Sequence, residues 1–590
     1  MKPNRKNQRH LGANALPHGK GRLWLALSVV TMAGAYLAYA ASSDAQAQDR
    51  ADNVPKSILD LQPFRQTTTA TLASGETLRF VSLNSNSNAW FILFVSQANG
   101  NTASFHVENP YPTRQSVALL SGPNPSLNVT WGQQHVACAP WVGTPSPLSV
   151  ARSSGTPFVA LCEGHLMLRN RVKGATTNLE WAASFLRNNI WGGDALVGIV
   201  KDTLYKDAFS ETARVISPGT VVPDNVTPMP GLDPAASAHP FVHAKTGLTL
   251  TGVTNGRMAL GIWYPITAMP GVSASTMAPA ALDRSVLDGP GITNPLDPVE
   301  RHSLDYFVAF DLSRFDLGYA MGTQYPGLGW SPRPPASVRD MSLPGPDGIG
   351  SPAPLVPLGM VNPTLKADLV ATFTAGFKRR HGAFKVGPLS RVNHGSHYGF
   401  IEQGVVMSTL QPGLSTLYVL DDGTIGMKTW TEGDRVLLPK IRFARQNGVP
   451  LLERAAAGGT GVPGNLVTSA EGGNWSGAAD LSLRTLRAGS CLKQTGAKQY
   501  LIFGYFSTAT PSAMARTFAG YGCTYAMLLD MNALVHTYLA LYPQGGRQSQ
   551  IEHLVPGMAA VDKKGPTGQP LARFVDYPDN RDFFYLTRKP

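Results

Sequence analysis

Short β-type runs dominate residues 63–172, and residues that favour turns separate one run from the next. β-branched and aromatic side chains suit half-buried strands, whereas Gly, Asn, Ser and Pro suit the turns between them. A series of short strands at this spacing predicts an antiparallel β-sandwich. The predicted strands are 67–72, 76–83, 89–96, 103–108, 116–120, 127–131, 158–161 and 165–172.

After the predicted sandwich, the sequence is richer in residues that favour helices. Within 179–213, apolar residues recur at helical spacing, at Leu196, Ile199, Val200 and Leu204. This pattern predicts one or two amphipathic helices, which either pack on the sandwich or lie at a membrane surface.

Prolines mark a boundary between two domains. Residues 217–241 contain six prolines in a polar context, which is typical of a linker. We therefore expect a β-rich N-terminal domain with a helical tail over 49–216 and a second domain over 242–590. Within the second domain, the Pro- and Gly-rich stretch 325–358 predicts a long surface loop of the kind that flanks a functional site.

The first 48 residues indicate export. Residues 1–22 carry six basic residues and no acidic residue, and the apolar run 23–41 follows them, which is the order found in export signals. Under the positive-inside rule this charge asymmetry places the rest of the chain outside the cytoplasm. A cleaved signal peptide and a retained N-terminal membrane anchor both remain open, because the run is long enough to span a bilayer. The expected location is the periplasm, the cell surface or a tether to the inner membrane.

The charge of the remaining chain argues against nucleic acid as a partner. The formal net charge is +12, and residues 1–48 contribute +5 of it, which leaves +7 for the rest. These basic residues are scattered rather than clustered. A weakly basic surface of this kind suits anionic glycans or lipid head groups.

Four cysteines form two pairs that are local in sequence. An even number of cysteines in an exported chain favours disulfides over metal ligands or free thiols. We predict that Cys138 pairs with Cys162 and that Cys491 pairs with Cys523.

A strand, a short helix and a second strand follow one another near the C-terminus. The apolar run 499–506 predicts a buried strand, Thr510 and Pro511 a helix start, and 525–529 another strand that ends at Asp530. This order predicts a parallel crossover unit. Ligands of such units lie beyond the carboxyl ends of the strands, which makes Asp530 a candidate functional residue; a capping role in the following loop is the alternative.

Several segments in the second domain resemble the phosphodiester glycosidase family, and their order along the chain carries the resemblance. It spans about residues 245–545. The matching segments are RHSLDYFVAFDLSRFDL at 301–317, FTAGFK at 373–378, NHGSHYGFIEQG at 393–404, STLYVLDDGTIGMKTW at 415–430, RQN at 445–447 and AMLLDMN at 526–532.

The resemblance implies an α+β chain, in which the N-terminal β-sandwich is followed by a mixed-sheet domain similar to phosphodiester glycosidases. It implies hydrolysis of sugar-1-phosphate diesters, with Asp530 as the catalytic acid or base. Cationic and amide side chains would hold the phosphate and the sugar. Those candidates are Arg445, Gln446, Asn447, Asn532, His394, His397 and Lys378.

Departures from the family pattern favour a second interpretation. Thr374 stands in place of the family's asparagine, Gly489 in place of its arginine, and Met531-Asn532 in place of its glycines. The alternative function is therefore a non-catalytic glycan-binding or structural envelope protein on the same fold. A weaker alternative is a structural partner in an export or surface complex that uses the sandwich as its interaction face.

A histidine pair raises the question of a metal. His394 and His397 have H-x-x-H spacing, with Glu402 nearby, but they lie in a Gly-rich loop that does not place them on one face as a helix would. Contact with substrate is the preferred role for His394. We expect no metal and no cofactor, and an envelope glycan or phosphoglycan as the partner; the sequence does not indicate the oligomeric state.

Overall fold

The computed structural model describes residues 54–178, 180–181, 208–217, 239–384, 387–391, 399–456, 458–468, 484–546 and 550–590. Residues 56–590 form one compact unit. The predicted export segment lies outside the described residues, as do 182–207, which contain most of the predicted helices, and 218–238, the centre of the predicted linker. Within the described part, no helix has the length and apolar composition needed to cross a membrane.

The N-terminal part forms the predicted antiparallel sandwich. A six-stranded sheet in the order β1-β2-β3-β4-β9-β8 packs on a three-stranded sheet in the order β5-β6-β7. The sequence did not predict β7, a short and mostly exposed strand that has little apolar pattern, or the short helix Pro147–Ser153. The elements are β1 (Gln66–Thr71), β2 (Thr77–Ser82), β3 (Trp90–Ser96), β4 (Thr102–Glu108), β5 (Ser116–Leu120), β6 (Ser126–Trp131), β7 (Gln134–Cys138), helix α1 (Pro147–Ser153), β8 (Phe158–Leu161) and β9 (Leu166–Arg169).

Strand β3 is buried on both faces. Successive side chains of a strand point to opposite faces. Phe91 and Leu93 face the interior of the sandwich. Trp90 and Ile92 belong instead to a larger apolar core shared with the C-terminal part of the chain. The N-terminal sandwich therefore packs directly against the rest of the compact unit.

The strands on either side of the predicted linker form hydrogen bonds with each other. Strands β10 (Val215–Ser217), β11 (Phe241–His243) and β12 (Arg257–Ala259) form an antiparallel sheet in that order. Val215 lies opposite Val242. The two ends of the predicted linker are thus held together by main-chain hydrogen bonds.

Three larger sheets build the C-terminal part. Their orders are β13-β14-β15-β26-β25-β27-β23-β24, β16-β32-β17-β28-β29 and β19-β18-β22-β20-β21, and β30 pairs with β31. The elements are β13 (Tyr264–Pro265), β14 (Val272–Met277), helix α2 (Arg284–Leu287), β15 (Asp305–Asp311), β16 (Phe315–Ala320), β17 (Leu369–Thr374), helix α3 (Arg379–Gly382), β18 (Phe400–Glu402), β19 (Val405–Ser408), β20 (Ser415–Leu420), β21 (Ile425–Thr429), β22 (Ile441–Gln446), β23 (Pro450–Glu453), β24 (Val462–Pro463), β25 (Thr485–Thr495), β26 (Lys498–Ala509), helix α4 (Pro511–Gly520), β27 (Tyr525–Met531), β28 (Leu539–Leu541), β29 (Glu552–His553), β30 (Lys563–Lys564), β31 (Pro570–Leu571) and β32 (Phe583–Arg588).

The predicted crossover unit is present. Strands β26 and β27 each run antiparallel to β25, which lies between them, so the two are parallel to each other. Helix α4 connects them, and Thr510 caps its start by accepting a hydrogen bond from the main-chain N–H of Ala513 at 3.2 Å. Strands and helices together give the α+β class expected from the sequence.

Both predicted disulfides form. Cys138 at the end of β7 pairs with Cys162 in the turn after β8. Cys491 on β25 pairs with Cys523, two residues before β27. Two disulfides agree with a chain that folds in an oxidising compartment.

A buried ionic contact joins the sandwich to the C-terminal part. Arg169 on β9 lies 2.5 Å from the Glu108 carboxylate on β4 and 3.7 Å from the Glu402 carboxylate on β18. Asn362 donates to Glu108 at 2.7 Å, and the Met321 N–H donates to Glu402 at 2.8 Å. Burial raises the pKa of Glu402 to about 8, against the opposing effect of Arg169.

This shifted pKa predicts that the folded state loses stability as the pH rises from about 4.5 to about 8. The ordinary pKa of the glutamate is 4.5. Between that value and about 8, Glu402 is protonated when folded and ionised when unfolded. Stability should therefore fall with rising pH, by at most about 1.4 kcal/mol per pH unit. Urea unfolding at several pH values should show a shallower fall for Glu402→Gln, which cannot ionise, whereas the exposed control Glu432→Gln should match the parent. Equal pH dependence in all three proteins would contradict the assignment.

Candidate functional site

The carboxyl end of β27 meets the end of a second sheet, and charged residues from both gather there. Asp530 lies near the end of β27. In the second sheet, Thr374 at the end of β17 pairs with Phe583 at the start of β32. Lys378 follows β17 by four residues and Arg581 precedes β32 by two, so the strand register brings both to this end.

Five side chains form what we call the ionic cluster: Glu180, Lys378, Asp530, His536 and Arg581. Arg581 forms an ion pair with Asp530, and its Nη2 lies 3.2 Å from Oε1 of Glu180. Lys378 forms an ion pair with that same Glu180 oxygen. Nε2 of His536 lies 2.7 Å from Nη2 of Arg581. Two cations thus converge on one carboxylate oxygen.

A strap of main chain holds Glu180 in place. Ala175 N–H donates to Pro578 O at 2.8 Å, and Asn580 N–H donates to Ala175 O at 3.0 Å. Gly174 permits this approach, because a Cβ there would lie 2.6 Å from the carbonyl carbon of Asp579. Thr177 then accepts a hydrogen bond from the Glu180 N–H at 3.2 Å. The strap fixes where the Glu180 carboxylate enters the cluster.

The backbone of Arg581 is also fixed. Asp579 accepts a hydrogen bond from the Arg581 N–H at 2.9 Å. Arg573 in turn holds Asp579 with two ion-pair contacts, at 2.8 and 3.1 Å. Such supporting contacts keep a binding side chain in one orientation.

Burial and neighbouring charges shift the pKa values of the cluster. Burial raises the pKa of Asp530, although Arg581 opposes the shift. Burial and then the charge of Arg581 lower the pKa of Lys378 to about 7, against the attraction of Glu180. Burial also opposes ionisation of Glu180, but Arg581 and Lys378 outweigh it and hold the pKa of Glu180 well below its usual range. Shifts of this kind are common at functional sites.

His536 is a neutral member of the cluster. Burial, followed by the charge of Arg581, lowers the pKa of His536 well below its usual value. Its Nδ1 lies 2.9 Å from the Met531 carbonyl, so Nδ1 carries the hydrogen and donates it. Nε2 is then the acceptor for Arg581. His536 therefore helps to orient the guanidinium toward Asp530 and Glu180.

The long loop predicted over 325–358 begins beside this cluster. Nζ of Lys378 lies 3.8 Å above the centre of the Tyr325 ring, a cation–π contact. Arg379 donates to Leu328 O at 2.7 Å and holds the start of the loop near the end of β17.

Arg445, predicted to grip a phosphate, lies in the core beneath the cluster. It is fully buried, and its Nε lies 2.6 Å from the Asp582 carboxylate. Its Nη2 donates to Phe377 O at 2.8 Å. Tyr319 donates to the same Asp582 at 3.1 Å. These contacts connect the turn after β17 to the start of β32, and a substrate contact by Arg445 stays a prediction.

Gln446 and Asn447 are engaged in equally internal contacts. Oε1 of Gln446 accepts from the N–H groups of Gly399 and Gln411, at 2.9 and 2.7 Å. Oδ1 of Asn447 accepts from Phe377 N–H at 3.0 Å, and its Nδ2 donates to Leu528 O at 2.6 Å. Both side chains are completely buried. Asn447 thereby holds the turn after β17 against β27, which sets the relative position of Lys378 and Asp530.

Asn532 occupies the turn after β27. Its backbone is left-handed, with a φ of 76°, a conformation that asparagine tolerates better than most residues. Its N–H donates to Leu486 O at 2.8 Å, and its side chain accepts from Thr485 at 3.2 Å.

His394 and His397 lie outside the described residues. Elsewhere, the described residues contain no group of three His, Cys, Asp or Glu side chains arranged for a metal ion.

Of the site residues predicted from the sequence, Asp530 and Lys378 lie in the ionic cluster; Glu180, Arg581 and His536 were not predicted. Arg581 stands in the charged segment 579–582 directly before a buried strand, a local signal that could have drawn attention to it. Glu180 has no such signal, because only the path of the strap brings it to the cluster.

Comparison with known proteins shows weak likenesses at the level of the fold. The chain matches no protein-family model and no curated protein. The catalytic domain of zebrafish N-acetylglucosamine-1-phosphodiester α-N-acetylglucosaminidase, auto-inhibited by its pro-peptide, is 12% identical, with a TM-score of 0.28 over 55% of this chain and 85% of that one. An exported protein from Burkholderia pseudomallei is 12% identical, with a TM-score of 0.19 over 91% of this chain and 99% of that one.

Proposed function

We propose that the ionic cluster binds an oxyanion carried by a glycan, and that this chain is an exported envelope protein that hydrolyses phosphate-linked glycans. The observation that supports this most is the convergence of Lys378 and Arg581 on one oxygen of Glu180. Carboxylate and phosphate oxygens accept the same charge-assisted hydrogen bonds. A phosphate oxygen that displaced Glu180 would find both cations already in position.

Unsatisfied polar atoms beside the cluster support the same proposal. Asn580 is buried, and within the described part of the chain neither polar atom of its side chain has a hydrogen-bond partner. Nε of Arg581 is also buried, with no partner in the residues that the structure describes. Buried polar groups are nearly always paired, so such atoms require an explanation. Hydroxyl or phosphate oxygens of a bound glycan would satisfy them.

The proposed reaction uses one carboxyl group of the cluster for proton transfer. Water adds to the anomeric carbon, the bond from that carbon to the phosphate oxygen breaks, and the phosphate leaves as a monoester. The water loses one proton and the leaving oxygen gains one. Asp530, whose pKa is raised by burial, performs one of these transfers. Lys378 and Arg581 stabilise the charge on the departing phosphate.

A second candidate function is binding without turnover. Asp530 is only 6% exposed and is engaged by Arg581. This closed arrangement favours a glycan-binding protein in which the cluster recognises the anion and Asp530 serves to hold Arg581.

Replacement of Asp530 by Asn separates the two functions. We expect the parent protein to release reducing sugar from purified envelope phosphoglycans and from p-nitrophenyl-phosphate-linked sugars. Asp530→Asn should lower the rate by a factor of about 10²–10⁴, because it removes the proton transfer. Calorimetric titration with inorganic phosphate, run in parallel, reports whether the anion site remains intact.

Asp305→Asn is the matched control, because Asp305 is a buried aspartate outside the cluster whose pKa is also raised by burial. It should retain the parent rate. Phosphate binding without turnover in the parent would support the binding protein and exclude the hydrolase. Full activity in Asp530→Asn would exclude the catalytic role of Asp530.

A further inference from the structure

Three loops at one end of the N-terminal sandwich form an open cavity, a second candidate site that shares no residue with the ionic cluster. The loops are the β1–β2 turn, the segment that enters β6 and the segment that leaves β7. Together they line a cavity of about 520 Å³. Cavities of about 300–1,000 Å³ are typical of small-ligand sites.

The walls of this cavity are fixed by covalent and main-chain bonds. Cys138 lines the cavity and is tied by its disulfide to Cys162. In the β1–β2 turn, Leu72 N–H donates to Glu76 O at 2.8 Å. In the segment after β7, Leu148 N–H donates to Pro140 O at 2.9 Å. Loops held on a rigid sheet scaffold are a common location for binding sites.

The chemistry of the lining indicates an uncharged, hydroxyl-rich ligand. Trp141 contributes an aromatic ring to the wall, and its buried indole N–H has no hydrogen-bond partner among the described residues. The other lining side chains are apolar, uncharged and polar, or, in Glu76, a carboxylate, and none of the lining residues in the described part of the chain is basic. The polar ones are Ser74, Glu76, Ser126, Asn124 and Thr144.

We propose that this cavity binds a neutral oligosaccharide. An aromatic wall suits the C–H face of a sugar ring, and hydroxyl, amide and carboxylate groups suit its hydroxyls. The carboxylate of Glu76, with no lining cation to balance it, disfavours an anionic ligand. The sandwich thus holds a neutral stretch of glycan independently of any reaction at the ionic cluster.

Calorimetric titration of the full chain with cellotetraose, chitotetraose and maltotetraose tests this proposal. We expect at least one tetrasaccharide to bind. Asn124→Ala should weaken binding by about tenfold, the effect of one lost hydrogen-bond contact. Val142→Arg should abolish binding, because Val142 lines the cavity and is 63% exposed, so a longer side chain can fill the cavity without disturbing the core. Trp141→Phe, which keeps a ring and removes the N–H, should weaken binding.

Two controls keep the result interpretable. Asn99→Ala changes an exposed asparagine in the β3–β4 turn and should bind like the parent. Spermidine serves as a cationic probe. If the parent binds spermidine but no sugar, and Glu76→Gln loses the spermidine binding, the proposal is overturned in favour of an amine site. Absence of binding for all three sugars, or sugar binding that survives Val142→Arg, would also overturn it. Thermal unfolding of each variant checks that the protein remains folded.

Discussion

Replacement of Arg445 by methionine is expected to lower the free energy of unfolding by about 3–5 kcal/mol, because it leaves the carboxylate of Asp582 buried without its cation. Arg445 is fully buried, and its Nε lies 2.6 Å from Asp582. A loss of this size is a large share of the stability of an ordinary folded protein, about 5–15 kcal/mol. Urea unfolding followed by circular dichroism measures it.

Arg435→Met provides the matched control. Arg435 forms an ion pair with Glu432 at 2.6 Å, but both side chains are more than half exposed. Exposed pairs contribute about 0–1 kcal/mol. The control should therefore unfold close to the parent. If Arg445→Met does the same, the buried pair with Asp582 is not a main support of the site, and a role of Arg445 in contact with substrate becomes the better explanation.

Replacement of Glu180 by glutamine should raise the affinity of the protein for inorganic phosphate by about tenfold or more, which corresponds to about 1.4 kcal/mol. Glu180 occupies the position between Lys378 and Arg581 that the proposed anion would take. Glutamine removes the competing charge and leaves the two cations available. Calorimetric titration measures the affinity.

The same variant should lose stability in phosphate-free buffer and regain it when phosphate is added. Two buried cations without their carboxylate destabilise the folded state, and a ligand that binds the folded state restores it. In the parent protein, the affinity for phosphate should fall as the pH rises through about 7, because the lowered pKa of Lys378 means that it loses its proton there. Glu211→Gln, which alters a half-buried glutamate bonded to Tyr306, is the control. Unchanged or weaker phosphate binding in Glu180→Gln would contradict the proposed anion site.

Local sequence patterns predicted most strands of the sandwich and the crossover unit. The crossover unit has an apolar run of strand length, a Thr-Pro helix start and glycines at the helix end, and all of these signals lie within about thirty residues. The two disulfides were predictable for the same reason, since each joins cysteines that are close in sequence.

The composition of the site was only partly predictable, because it depends on contacts between distant segments. Asp530 was predicted as a site residue from the rule that ligands lie at the carboxyl ends of crossover strands. Arg581 reaches the same place through the register of β32 with β17, and Glu180 through the strap that begins at Gly174. Neither the register nor the strap has a local sequence pattern.

Arg445 shows a different limit. A basic residue in an Arg-Gln-Asn segment suggested a phosphate contact, but β22 is buried on both faces, so the pattern of alternating exposure is absent there. Whether such an arginine faces a ligand or a buried carboxylate depends on Asp582, which is more than a hundred residues further along the chain.

Because β3 is buried on both faces, the sandwich depends on the rest of the compact unit for its stability. Trp90 and Ile92 contribute to the same apolar core as the C-terminal sheets, while Phe91 and Leu93 close the sandwich. Separation of the sandwich would expose a tryptophan, an isoleucine and their partners to water, at a cost of about 1.5–3 kcal/mol for each large side chain. The sandwich is therefore not an independent module that could be exchanged for another domain. The side chains of β3 have to pack both inside the sandwich and against the C-terminal core, so a substitution in β3 has to be compatible with both.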